Sequence, residues 1–190
     1  MALSKEGLET AIQSVIDGPP DSVESYVSGI CDAIDSYLSN IELDPFPAAG
    51  VNPAGPTTDP SFVPDQPVEP AAPLKAIQFR AAFLAAANAA AGGSDRDYSA
   101  CTAGFVTDIS LLASVKNAGG YTSAGSTVCA SGPDVDAAMD QGLTDIAPPE
   151  GKFAKELSKQ IHDATTSSTF SGPYLKAAFA GPSPYSSSLS

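Results

Sequence analysis

Tryptophan is absent from these 190 residues, aromatics make up only 7%, and histidine occurs once, at His162. Each absence removes a class of function. One histidine and three scattered cysteines cannot assemble the usual zinc sets, which draw four ligands from Cys and His. No CxxC pair, GxSxG, HExxH, Walker A or GxGxxG pattern occurs, so the common metal, nucleophile and phosphate motifs are missing. The acidic run DVDAAMDQGLTD lacks the alternating ligands, the sixth-position Gly and the closing Glu of a calcium loop, and fits a helix start better. No catalytic residue, metal ligand or cofactor site is expected, and the chain is expected not to be an enzyme.

Basic residues are equally scarce. Nine Lys and Arg stand against 22 Asp and Glu, for a net charge of −13, and Lys5 is the only cation before Lys75. Nucleic-acid binding needs clustered cations to displace counterions, so no nucleic-acid partner is expected. An anionic membrane surface is disfavoured for the same reason, and no apolar run approaches a membrane span. The acidity serves solubility, and a basic partner surface is the sharper reading of it. Cys31, Cys101 and Cys129 are an odd number and far apart, which argues against a disulfide framework. Cys31 lies on the apolar side of an expected helix, while a Cys101–Cys129 pairing stays open. The opening MALSKEGLETAIQ has no basic stretch followed by an apolar one, so no signal peptide is expected there.

Apolar residues total 43%, enough for a core, but much of that is alanine, as in AAFLAAANAAAGG. Alanine buries little surface, and a fully buried larger side chain contributes only about 1.5–3 kcal/mol. Such a chain is expected to lean on contacts beyond its own fold.

The expected fold class is mainly α. An N-terminal helical pair occupies residues 1–43. Its first helix carries Leu8, Ala11, Ile12 and Val15 and stops at DGPP; its second opens at Asp21 with Glu24 in a capping-box spacing. The stripe Val23, Val27, Ile30, Ile34, Tyr37, Leu38 and Ile41 then runs unbroken, and the short turn favours an antiparallel pair. A helical domain with irregular loops is expected over 74–172. It comprises helices at Leu74–Ala91, at Asp97–Asn117 (Cys101, Phe105, Ile109, Leu112, Val115), after Pro133, and through Phe153, Leu157, Ile161 and Ala164. YTSAGSTVCASG is expected to be a loop or a short hairpin. A C-terminal tail fills 173–190, with a short helix over PYLKAAFAG before its serine-rich end. The segments GPPDSVESYVSGICDAIDSYLS and APPEGKFAKELSKQIHDATTSS echo one another faintly, and ordinary helix-start signals explain the echo as well as a duplication would.

Between these halves lies a Pro-rich connector, residues 44–73, with nine prolines and no basic residue. Proline fixes φ, removes a donor and drives its predecessor toward extended geometry. Ordinary connections are about 4–6 residues long. Pro64, Pro67, Pro70 and Pro73 recur every third residue, the repeat of polyproline II, so their rings line one edge of an extended rod. These four are the candidate partner-binding residues. Basic flanks typical of SH3 ligands are missing, which favours a docking strap or stiff spacer that could reach on the order of 90 Å.

The combination of ALSKEGLETAIQ…ICDAIDSYLS, Ala/Ser/Gly-rich helices, a Pro-rich connector and ELSKQIHDATTSSTFSG resembles small virion structural proteins of tailed bacteriophages. That resemblance implies a non-enzymatic component of a symmetric neck, tail, baseplate or capsid layer, located in the virion. Its partners would be other virion structural proteins and copies of itself. The alternative is a cellular adaptor or scaffold that binds a partner through the Pro-rich segment.

Overall fold

Serine at the two N-terminal helix starts sets the first elements. In the computed structural model, which describes residues 3–18, 21–46, 66–118, 122–143, 152–175 and 183–190, Ser4 caps α1 (Lys5–Asp17) by accepting the Gly7 N–H at 3.0 Å. Ser22 and Ser25 form a reciprocal capping box for α2 (Val23–Leu38), one residue beyond the Asp21–Glu24 spacing expected. The α2 stripe is buried as its spacing dictates: Val27, Ile30, Ile34 and Leu38 are essentially inaccessible.

Downstream come β1 (Val68–Pro70), α3 (Ile77–Ala91), α4 (Ser99–Ser110), β2 (Ser114–Asn117), β3 (Thr122–Ala124), β4 (Ser126–Val128), α5 (Val135–Leu143), α6 (Lys152–Thr166), β5 (Thr169–Leu175) and β6 (Ser183–Ser188). The expectation of a mainly α chain is therefore corrected: the fold is mixed α/β. Its strands arise in the connector expected to be extended, in the segment expected to be a loop or a short hairpin, and where helix or tail was expected. The stretch to Asn117 leaves the helix at Ser110 and re-forms as β2. YTSAGSTVCASG supplies β3 and β4. Pro173–Leu175 closes β5 rather than opening a helix, and the rest of PYLKAAFAG lies outside the described residues.

All strand pairs are antiparallel, in the order β1–β2–β3–β5–β4 with β6 on β5. β3 and β4 keep one register against β5, from Thr122 opposite Leu175 to Val128 opposite Thr169. They meet at Gly125, which crosses Gly172 so closely that a Cβ on Gly125 would stand 2.7 Å from the Gly172 Cα and overlap the Ser171 carbonyl. Only glycine fits at such a backbone crossing.

Residues 42–44 then bring the two outer strands together. Leu43 bridges Val68 of β1, while Glu42 and Ser190 exchange backbone hydrogen bonds of 2.8 and 2.9 Å just beyond β6. The Asp44 N–H donates to Ser187 Oγ at 2.9 Å, and the Tyr185 hydroxyl donates to the Asp44 carbonyl. Edge strands left open invite pairing with other chains, and here one short segment covers both.

One continuous core runs from Leu8 to Leu189, with Phe79, Phe83, Phe105 and Phe170 among its largest buried side chains. Phe79 stacks edge-on to Phe105 at 6.0 Å, which fixes α3 on α4. The two helices approach closest at Gly104, where a Cβ would come within 2.8 Å of the Gln78 backbone carbonyl carbon.

Candidate docking groove

The connector enters the helical layer through Pro73, Leu74 and Lys75, and its course is pinned from three sides. The Ala71 N–H donates to the Ser114 carbonyl at 3.0 Å, continuing the β1–β2 ladder by one step. The Ala76 N–H donates to Asp35 Oδ1 on α2 at 2.8 Å. The third hold comes from α4. The α3 N-terminus has no capping side chain of its own, yet its first N–H groups need acceptors. Asp108 supplies them across the helix pair: Oδ1 accepts from Gln78 at 3.0 Å and Oδ2 from Phe79 at 2.9 Å. Asp108 is fully buried, and that burial pushes its carboxyl above the usual range despite these N–H donors, which pull the other way.

Arg80, one turn into α3, faces α2. Its guanidinium bonds Asp32 at 2.6 Å, Asp35 at 3.1 Å and Ser28 at 3.1 Å. Asp35 thus holds α3 twice, through Arg80 and through the Ala76 N–H. Asp32 foremost raises the Arg80 pKa, by its hydrogen bond. Asp35, Asp108 and Arg80 are thus engaged in fixing the position of α3.

The walls so fixed enclose a hollow of about 240 Å³ between the last connector residues and the α4–β2 turn. Pro73, Leu74, Ile77, Leu111 and Ala113 line it together with the buried Asp108, and the exposed Lys75 borders it. α4 ends at Ser110; Leu112 then turns into the core while Leu111 points out. Ile77 is 58% exposed and Leu111 66% exposed, and both border the hollow. Of the three large hydrophobic side chains left exposed among the described residues, Ile77 and Leu111 stand together at this hollow, and Val128 lies elsewhere.

Of the four prolines singled out from sequence, Pro73 lines the groove. Pro70 ends β1, opposite Val115, and Pro67 is exposed just before that strand. Pro64 lies outside the described residues. Sequence reasoning missed Ile77, Leu111 and Asp108. The signal was present for two of them: Leu111 falls off the stripe Cys101–Phe105–Ile109–Leu112, and Asp108 is a charged residue inside it.

The remaining polar clusters serve the fold. His162 Nδ1 and the Tyr37 hydroxyl share a hydrogen bond of 2.7 Å that joins α6 to α2. Burial raises the Tyr37 pKa. A second, more open hollow beside Glu9, Gln13 and Asp17 runs along α1, where Gln13 donates to Asp17 at 2.7 Å. Cys31, Cys101 and Cys129 are buried free thiols, so the open Cys101–Cys129 pairing is not made. Burial pushes the Cys31 and Cys101 thiols up to about 12, the wrong direction for a nucleophile. Among the described residues, no cluster of three or more His, Cys, Asp or Glu could hold a metal ion, and no helix is long and apolar enough to cross a membrane.

What fold and site define is a mixed α/β protein with a rigid-walled apolar groove where its Pro-rich connector meets the helices. Compared with protein families, curated proteins and solved structures, the chain matches none.

Proposed function

We propose that this chain is a non-enzymatic structural component of a phage virion, joining or bracing neighbouring subunits in a symmetric neck, tail, baseplate or capsid layer. The observation that carries the reading is the pair Ile77 and Leu111, both more than half exposed on the rim of one groove. Completing their burial against a partner would contribute on the order of 1–2 kcal/mol apiece. The groove walls are preset by the Asp108, Asp35 and Arg80 contacts, so little ordering cost accompanies docking. The resemblance of the helices and connector to virion structural proteins supplies the setting.

A cellular adaptor is the second reading, favoured by the exposure of Pro67 and Pro73 on either side of β1. The double variant Ile77→Ser, Leu111→Ser separates a docking surface from incidental exposure. It should keep the wild-type circular dichroism spectrum yet fail to enter the parent assembly. Incorporation at wild-type levels would refute the groove as the joining surface.

A further inference from the structure

The groove has the size, polarity and lip charge to receive a particular part of this same sequence. We propose that its occupant is Phe62 of a second copy of the chain, presented by the segment Asp59-Pro-Ser-Phe-Val-Pro-Asp65. This deepens the assembly reading and rests on it.

Volume is the first argument. An apolar cavity of about 150 Å³ accepts benzene, so 240 Å³ admits a phenyl ring and neighbouring aliphatic atoms. Phe62 is the only aromatic residue between Phe46 and Phe79, and Val63 follows it. Pro60 and Pro64 flank the pair, and proline restricts the free chain, which lowers the entropy lost on docking.

Charge is the second. In a chain of net charge −13, an acidic segment is repelled by most of its own kind. Asp59 and Asp65 bracket Phe62, and the groove lip presents Lys75, which is exposed and makes no ion pair among the described residues. Arg80 nearby is already committed to Asp32 and Asp35.

Tether length decides between own and neighbouring groove. Phe62 stands four residues before Gln66, a reach of at most about 14 Å. From Gln66 the chain runs through β1 to Ala71, still paired to Ser114, which at strand spacing covers roughly 17 Å before the groove begins. Four residues cannot both reverse direction and cover that span. Both sides of β1 are also taken, by β2 and by Leu43. A neighbour's groove has no such constraint. Each copy carries one plug and one groove, so the contact closes as a reciprocal two-fold pair or repeats around a ring or along a filament.

The test uses the full chain in sedimentation velocity over a concentration series, with Phe62→Ala removing the plug and Leu111→Asp blocking the groove. Wild type should form species larger than the monomer, and each variant should lose at least about tenfold in association while keeping its circular dichroism spectrum. An equimolar mixture of the two variants retains one working plug and one working groove, and should yield a heterodimer and nothing larger. Lys75→Glu, at an exposed position, should weaken association several-fold, and more so at low salt. Association of Phe62→Ala at wild-type strength would overturn the proposal; if Leu111→Asp alone abolished association, the groove would remain a joining surface with another occupant. A wild-type chain monomeric throughout the series would overturn it too, leaving the assembly reading to rest on other partners.

Discussion

Replacing Asp108 with alanine removes the side-chain acceptors of two N–H groups in the first turn of α3. Two backbone N–H groups lose partners, at 3.0 Å from Gln78 and 2.9 Å from Phe79. Gln78 is exposed and water can take over its N–H, but Phe79 is fully buried. A helix cap replaced by alanine costs about 0.5–2 kcal/mol, and a buried donor left unsatisfied costs about 1–3 kcal/mol. Together these give roughly 2–4 kcal/mol, a large share of the 5–15 kcal/mol typical of a domain. For a chain of this size that corresponds to a melting temperature lower by roughly 5–15 °C. Urea unfolding followed by circular dichroism measures it, with a matching loss in midpoint and unchanged slope. Asp108→Asn keeps one acceptor and should lose about half as much. The sign with pH also follows. Burial raises the Asp108 pKa above its unfolded value, so the native state holds this proton more tightly. The stability this contributes is complete below the unfolded pKa near 4 and is lost as pH rises through the raised native value. The asparagine variant lacks that loss, so the gap between it and wild type should narrow from pH 4 to pH 7. A cost below about 1 kcal/mol for Asp108→Ala would refute the claim that α4 caps α3.

Gly125→Ala should cost more than about 3 kcal/mol or prevent folding, because the new Cβ meets the Ser171 and Gly172 backbone, whereas Gly92→Ala, with nothing nearer than 3.4 Å, should stay within about 1 kcal/mol of wild type; comparative denaturation reads both. Native Cys31 and Cys101 should resist iodoacetamide at pH 8 until the chain unfolds, since burial holds both thiols near 12. The same raised values predict stability that is complete below pH 9 and falls toward pH 12, where the unfolded thiols ionise and the native ones do not. Cys31→Ala with Cys101→Ala should flatten that decline, and an unchanged slope would contradict it.

The helices were legible because their buried positions hold large aliphatic and aromatic residues at helical spacing: Val27, Ile30, Ile34 and Leu38 in α2, and Phe153, Leu157 and Ile161 in α6. The sheet was not. Its buried positions mix Asn117, Ser123, Thr127 and Ser187 with Val68, Val115, Phe170 and Tyr185, so the alternation of apolar and polar residues that marks a half-buried strand is broken in sequence. Thr127 illustrates how such a position is satisfied, its hydroxyl donating to the Leu112 carbonyl at 2.7 Å. β2 was hidden differently: Leu112 and Val115 continue the α4 spacing, and only tertiary pairing with β1 and β3 turns that segment into a strand. At the groove, the three-residue proline period drew attention to Pro73, but not to the α4–β2 turn that forms the opposite wall. That turn lies more than thirty residues along the chain, and no local pattern joins the two.

Copy number tests the central claim most directly. Quantitative mass spectrometry of the purified assembly that contains this chain should find it at a fixed whole-number ratio to a symmetric major component, as a ring or layer requires. A variable, substoichiometric amount, or a one-to-one complex with a single cellular protein, would contradict the account.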